Sequence, residues 1–278
     1  MSIGPLSGVA GLQQQQNIQK SSGKLNSAIA ALASGKKSSS AGEDVATLSL
    51  ASQLQSSVSG LKAASVNIAQ ASSLLQVADS GVGQIGDILQ QLRNLAQQAG
   101  SPVLNDDNRA ALSEQFEQLI GQLNSVVGGT SFNNKKLLDG GLSGDDAISI
   151  NSILSVEGED SDRLSIKNLA SDNLFGGKSL SILDAVSASY ALSVLDSAIN
   201  DVVGVRAEIG SFLQSIDYAA ANVDSAIANQ EAARSELQDA DFAAASTEQS
   251  QALLQQNAAI AVAAQSNRLT PALLKLVS

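Results

Sequence analysis

The amino-acid sequence predicts a mainly α protein, a long antiparallel helical rod or coiled coil built from the N- and C-terminal halves, with a small β-hairpin region in the middle. Three observations carry that expectation. Apolar residues recur every seventh position from Leu54 through Leu61, Ile68, Leu75, Val82 and Leu89 to Ala96, and Ser57, Ala64, Ala71, Ala78, Ile85 and Leu92 follow the first six at a spacing of three. A second register runs Leu195, Val202, Ile209, Ile216, Val223 and Leu237, accompanied by Ala198, Val205, Phe212, Ala219, Ala226, Ala233 and Ala240, with Gln230 as its polar interruption. Such a seam needs a partner helix along its length, and a helix from Leu54 to Ala96 would be roughly 65 Å long at ~1.5 Å per residue. Finally, Pro5, Pro102 and Pro271 fall where they bracket the helical stretches, because a proline inside a helix removes a backbone donor and clashes with the preceding turn.

The elements follow in order. Residues 5–34 read as an amphipathic helix with a weak seam at Ile18, Leu25, Ile29 and Leu32, stopping at Ser34-Gly35. A polar link leads to Glu43-Asp44, whose acids suit the positive N-terminal end of the next helix. That helix spans 44–99 and stops at Gly100-Ser101-Pro102. Asp106 or Asp107 is expected to cap a third helix, 106–127, closed by Gly128-Gly129. Residues 130–180 change character. Phe132-Asn133-Asn134-Lys135 reads as a turn between short strands, since Asn tolerates the positive φ such turns demand. Ile148-Ser149-Ile150 and Leu164-Ser165-Ile166 alternate with period two, as strands of a half-buried sheet do. Helix resumes over 181–237, a further Ala- and Gln-rich helix is expected over 248–265, and Asn267 to Ser278 closes the chain. Grouped into domains, 1–43 plus 238–278 form a terminal coiled coil and 44–237 a rod containing the β-rich segment.

Composition narrows the function. The chain has no His and no Cys, which removes imidazole bases, thiol nucleophiles, disulfides and the commonest zinc ligand sets. No catalytic constellation can be assembled from what remains, so an enzyme is not expected, and no cofactor is implied. The acids Asp145, Asp146, Glu157, Glu159, Asp160 and Asp162 lack EF-hand spacing and read as solvated surface. Of 27 acids none lies in residues 1–42 or 249–278, and only 10 of the 16 bases lie between those segments, so the middle carries a net −17. An acidic body disfavours nucleic acid. No apolar run reaches the ~20 residues of a membrane span, and the N-terminus lacks the basic and apolar regions of a cleaved secretory signal.

The segment Leu32-Ala33-Ser34-Gly35-Lys36-Lys37-Ser38-Ser39-Ser40-Ala41-Gly42-Glu43-Asp44 resembles the N-terminal signature of bacterial flagellins. The resemblance continues through Leu89 to Gln98 and Thr130 to Leu138, and returns at Ala233-Arg234-Ser235, Asp239-Ala240-Asp241-Phe242, Leu253-Leu254-Gln255-Gln256 and Ala263 to Asn267. The family implies terminal helices that pair inside a filament core, a surrounding layer of long helices, and outer domains inserted in the middle; here only a short segment separates the helical halves, as in a minimal flagellin. By the same resemblance Leu32, Ser34, Gly35, Lys37, Glu43, Asp44, Arg234, Asp239, Asp241, Leu253, Leu254, Gln255, Gln256 and Asn267 would serve assembly. It further implies export unfolded without a cleaved signal, an export apparatus and chaperone, a filament cap and hook-associated proteins as partners, and an extracellular filament of identical or sibling subunits. In flagellins sensed by the vertebrate Toll-like flagellin receptor, the motif at 90–95 reads Gln-Arg-Val-Arg-Glu-Leu. Here Gln90, Arg93 and Leu95 match, Gln91 replaces the first Arg and Asn94 the Glu, and loss of a guanidinium's forked hydrogen bonding implies weakened recognition. Asn134 and Gly42 stand where the family usually has Gly and often Lys. The sequence therefore points to a self-assembling filament subunit. A hook–filament junction protein is the nearest alternative, and a secreted helical effector or adhesin is the alternative of another class.

Overall fold

The computed structural model describes residues 4–37, 45–143, 147–154 and 163–277, and within them the side chains of all but residues 4–11, 14, 152 and 266–277. Seven helices and four two-residue strands are found among the described residues, dominated by α1 (Gly4–Ser34), α2 (Val45–Ala99), α3 (Asp106–Gly129), α6 (Ala185–Gln238) and α7 (Phe242–Val277). The mainly α class is borne out, with helices of 55 and 54 residues as α2 and α6. Two compact units divide the chain: Gly60–Ile227 forms one, and Met1–Ser59 together with Ala228–Ser278 the other.

In the first unit α2 and α6 run antiparallel, as the contacts Asp79–Arg206 and Arg93–Asp196 show. From Ala64 to Ala99 the buried residues of α2, Gly81 and Ile88 apart, fall at alternating steps of four and three, and Leu195, Ala198, Val202, Val205, Ile209, Phe212 and Ile216 answer them on α6. This is knobs-into-holes spacing with small and large residues mixed, which lets the helices approach closely. Phe116, Leu123 and Val127 of α3 join the same core. Ser57 and Ala233 leave their expected seams: both are exposed, while Val58 is buried and Arg234 half-buried in their places. A straight helix drifts by about 20° per heptad against a 3.5-residue repeat, so the contacting position moves by one residue toward the ends. Gln230 is half-buried, and its carboxamide Oε1 has no hydrogen-bond partner.

The middle segment closes one side of this core. Strands β1 (Ser131–Phe132) and β2 (Lys135–Lys136) pair antiparallel around Asn133 and Asn134, at φ 48° and 64°. Two successive positive φ values make the type I′ turn that matches strand twist, so the expected hairpin is borne out. Strand β3 (Ile148–Ser149) pairs with β4 (Arg163–Leu164), and Leu142 bridges to Ile166. Ile150, expected to extend its strand, instead begins the short α4 (Ile150–Leu154). A second short helix, α5 (Ser171–Leu174), is tied to α3 by the Ser171 amide donating to Asn124 Oδ1 at 3.0 Å. The acids Asp145, Asp146, Glu157, Glu159, Asp160 and Asp162 lie outside the described residues, as do Glu43 and Asp44.

Three helices differ from expectation at their ends. Asn105, not Asp106 or Asp107, caps α3, its Oδ1 accepting from the Asn108 amide at 2.8 Å. The two acids occupy the first turn, where the helix dipole favours negative charge. Helix α6 begins at Ala185, not at 181, because Asp184 Oδ1 accepts from the amides of Val186 and Ser187 at 3.0 and 2.9 Å. Helix α7 begins at Phe242 behind an Asp241 cap, not at 248, and continues through Pro271 to Val277. One proline deletes one ladder bond and does not by itself set the boundary.

Candidate functional site

In the unit formed by the two ends of the chain, the residues of the flagellin-like signature gather at a backbone clip between two links. Helix α1 stops at Gly35, whose φ of +68° is the left-handed conformation of a helix C-terminus and whose amide donates to Ala31 O at 2.8 Å. Ser34 braces the same turn: its hydroxyl donates to Ala30 O at 2.7 Å and accepts from the Lys36 amide at 3.3 Å. Lys36 then pairs antiparallel with Asp239 across the link between α6 and α7. The Lys37 amide donates to Gln238 O at 2.7 Å, and the Ala240 amide donates to Gly35 O at 2.9 Å. On the opposite strand the Asp239 carboxylate accepts from the Ser235 hydroxyl. Asp241 starts α7 by accepting from the amides of Ala243 and Ala244 at 2.9 and 3.1 Å, the usual work of an N-cap carboxylate. Arg234, one turn before the clip, donates from Nη1 to Gln55 Oε1 on α2.

From the clip α1 and α7 run antiparallel, with Gln256 Nε2 donating to Ser22 Oγ at 3.0 Å. The positions of α7 turned inward are Ala245, Gln249, Ala252, Gln256, Ala259 and Ala263, at steps of four and three. Facing them on α1 are Ile18, Ser21, Leu25, Ala28 and Leu32, of which Ser21 and Ala28 are fully buried. Ile29, expected in this seam, is exposed, and Ala28 takes its place. The large apolar residues of α7 whose side chains are described point the other way. Leu253, Leu254, Ile260 and Val262 keep 42, 70, 51 and 55% of their surface exposed, and Leu12 on α1 keeps 63%. Gln255 is exposed, and Asn267 lies in α7 beyond the described side chains.

Most of the expected residues that are described fall in two groups, while Leu32 and Gln256 lie in the α1–α7 seam and Arg234 reaches Gln55. Ser34, Gly35, Lys37, Asp239 and Asp241 come together at the clip, while Leu253, Leu254 and Gln255 lie on the uncovered side of α7. Sequence reasoning missed the inward seam of α7, although its heptad of Ala and Gln is regular, because small residues give a weak hydropathy signal.

The receptor-like motif lies in the other unit, on α2. Gln90 and Gln91 are exposed, and Leu95 is half-buried. Arg93 Nε is held at 2.6 Å by Asp196 Oδ1, so the matching guanidinium is engaged within the chain. Gln91, Asn94 and Leu95 line an open groove of about 440 Å³ with Gln115, Gln118, Leu119 and Gln122 of α3. Nothing in the motif signalled Asp196, which lies 103 residues away. Among the described residues no three acids approach as a metal ligand set would require, and no helix is long and apolar enough to cross a membrane.

Known proteins are similar to this chain over most of its length. Residues 7–142 match the family model of the bacterial flagellin N-terminal helical region, and residues 192–277 that of the C-terminal helical region. A flagellin of Listeria monocytogenes is 29% identical over 280 aligned residues, covering 97% of this chain and 98% of the relative. A flagellin of Halalkalibacterium halodurans is 28% identical and covers 90% of each chain. Among solved structures, a putative flagellar hook-associated protein from Vibrio parahaemolyticus superposes with a TM-score of 0.55 at 14% identity, over 71% of this chain and all of that one, a likeness of fold alone. With both family regions matched in order across most of its length, the chain belongs to the bacterial flagellin family.

Proposed function

We propose that this chain is a structural subunit that polymerises, with copies of itself or sibling flagellins, into the extracellular flagellar filament, and that it is not an enzyme. Beside the family membership, one observation carries the reading: α7 turns Ala and Gln inward against α1 and leaves Leu253, Leu254, Ile260 and Val262 largely uncovered, as Leu12 is on α1. A free-standing helix pair does the opposite. Covering each of these half-exposed side chains supplies roughly 1–2 kcal/mol, and neighbouring copies are the surfaces available in a polymer. Ordering the two terminal helices costs ~1.5 kcal/mol per residue, so they gain order on assembly. Residues 1–43 and 238–278 form the inner layer and 44–237 the surrounding one. Export without a cleaved signal, with a chaperone before export and a cap at the growing tip, belongs to the same reading. Leu253, Leu254 and Gln255 serve subunit contacts, and the clip residues hold the terminal helices in place.

Seeded or salt-induced polymerisation viewed by negative-stain microscopy tests the proposal. The full chain is expected to give long tubes, and Leu253→Ser with Leu254→Ser to abolish them without changing the melting of the Gly60–Ile227 unit. Tubes from a chain lacking its first and last forty or so residues would overturn the reading, as would failure of the intact chain to associate under any condition.

A further inference from the structure

The clip between the two links has a role beyond holding them, and the inference rests on the reading that α1 and α7 gain order during assembly. We propose that pairing of Gly35-Lys36-Lys37 with Gln238-Asp239-Ala240 is the nucleus from which α1 and α7 zip together toward the ends of the chain. The two strands lie about two hundred residues apart in sequence, so bringing them together closes a loop before any contact between α1 and α7 stabilises it. Their bonds are backbone bonds, Lys37 N to Gln238 O and Ala240 N to Gly35 O, and need no helix seam to form. Each strand is stiffened locally: Ser34 and the left-handed Gly35 on one side, the Ser235–Asp239 bond and the Asp241 cap on the other.

Once the clip is closed, the end of α1 and the start of α7 lie side by side, and each further turn adds to an existing structure. Helix pairing has a costly nucleus and inexpensive growth, and a tether raises the effective concentration of the helical turns adjoining it. The seam beyond the clip suits growth more than initiation. Its inward residues on α7 are Ala and Gln, which offer little apolar area to start an association between separated helices.

The chain contains no cysteine, so Lys36→Cys with Asp239→Cys places a single disulfide at antiparallel partners, whose Cα spacing of about 4.5–5.5 Å is compatible with the bond. Amide hydrogen exchange is measured on the soluble, unassembled protein, oxidised and reduced. Oxidation is expected to slow exchange about tenfold or more in residues 22–34 and 242–256, with protection fading toward the ends, and to leave Gly60–Ile227 unchanged. Equal exchange of α1 and α7 in both redox states, with the disulfide confirmed by mass, would overturn the proposal. So would protection that is greatest at the ends. In a second arm Gly35→Val, strained at φ +68°, should lengthen the lag of seeded polymerisation several-fold while the Gly60–Ile227 unit melts as before; an unchanged lag counts against the nucleus. If the parent chain forms no polymer the filament reading falls, whereas the exchange comparison still decides the clip.

Discussion

Replacing Arg109 by Met tests how the turn between α2 and α3 is held. Arg109 is only 7% exposed, and its Nε donates to Ala99 O at 2.9 Å. Its Nη2 reaches Ser101 O and Leu104 O at 3.3 and 3.4 Å, and Nη1 reaches Asp106 Oδ1 at 3.3 Å. The Asp106 side chain is fully exposed, so that ion pair is worth little. The short bond to Ala99 O satisfies one of the orphan carbonyls at the end of α2, and a hydrogen bond from a charged donor contributes about 1.5–3 kcal/mol. The two longer bonds together add about 1 kcal/mol on the same scale. Met keeps most of the apolar stem, so the expected loss is about 3 kcal/mol, reduced where water reaches the freed carbonyls. For a unit of this size that lowers Tm by roughly 6–12 °C. Scanning calorimetry with guanidinium titration measures it, and hydrogen exchange should show opening confined first to residues 99–105. Arg109→Lys should recover part of the loss, since an ammonium cannot span three carbonyl directions. A loss below about 1 kcal/mol for Met, or equal losses for Met and Lys, would refute the claim that the guanidinium fork holds this turn.

Four further outcomes are expected of this fold. Gly81→Ala sets a Cβ 2.7 Å from Thr130 Oγ1 and 2.9 Å from Leu138 Cδ1, and should cost about 1–3 kcal/mol in denaturant titration. Gly60→Ala meets nothing within 4 Å and should stabilise by up to about 1 kcal/mol. A double-mutant cycle on Asp79 and Arg206, whose two bonds measure 3.0 and 3.3 Å across half-exposed side chains, should return about 0.5–1 kcal/mol and shrink with added salt. The Asp184 carboxyl is held below its ordinary range by the Ser187 hydroxyl, then by the Ser187 and Val186 amides and the Arg109 charge. Its folded pKa is depressed, so its contribution is present above the ordinary carboxylate range and is lost as pH falls through the folded value. Asp184→Asn should flatten that part of the acid limb in a plot of stability against pH, and an unchanged limb would contradict the assignment.

Features that repeat or are chemically restricted were legible in the sequence. The seams from Ala64 to Ala96 and from Leu195 to Val223 could be read position by position because each side chain meets a partner of like pattern. The Asn133-Asn134 turn was legible because few residues tolerate its backbone. Contacts that depend on partner and phase were not. Val58 for Ser57 and Ala28 for Ile29 are one-residue shifts set by how the opposing helix lies. The cap of α3 falls among Asn105, Asp106 and Asp107, all competent, and Asn105 takes it while Asp106 turns to Arg109. Arg109 itself gave no signal because its partners are mainly backbone carbonyls, which no sequence displays.

The difference between the two seams bears on where the chain is complete. Between α2 and α6 Ile68, Leu75, Val82, Ile85 and Leu89 meet Leu195, Val202, Ile209 and Ile216 in a buried seam, and Asp79–Arg206 and Arg93–Asp196 flank it, so that unit holds together by its own contacts. Between α1 and α7 the inward positions of α7 hold Ala and Gln against Ile18, Leu25 and Leu32 of α1, and Leu253, Leu254, Ile260 and Val262 of α7 are left outside. Exchanging the two patterns should therefore decouple stability from assembly. Leu at Ala245, Ala252 and Ala259, with Ser at Leu253, Leu254 and Ile260, would give α7 an ordinary inward face. Because close packing at Ala252 leaves little room, some strain of about 1–3 kcal/mol is expected, offset by apolar area gained within the pair. The redesigned ends should be more helical in the unassembled protein by circular dichroism and should form no tubes. Tubes from that variant would mean that the outward residues do not drive association, and that covering them is not what completes the fold.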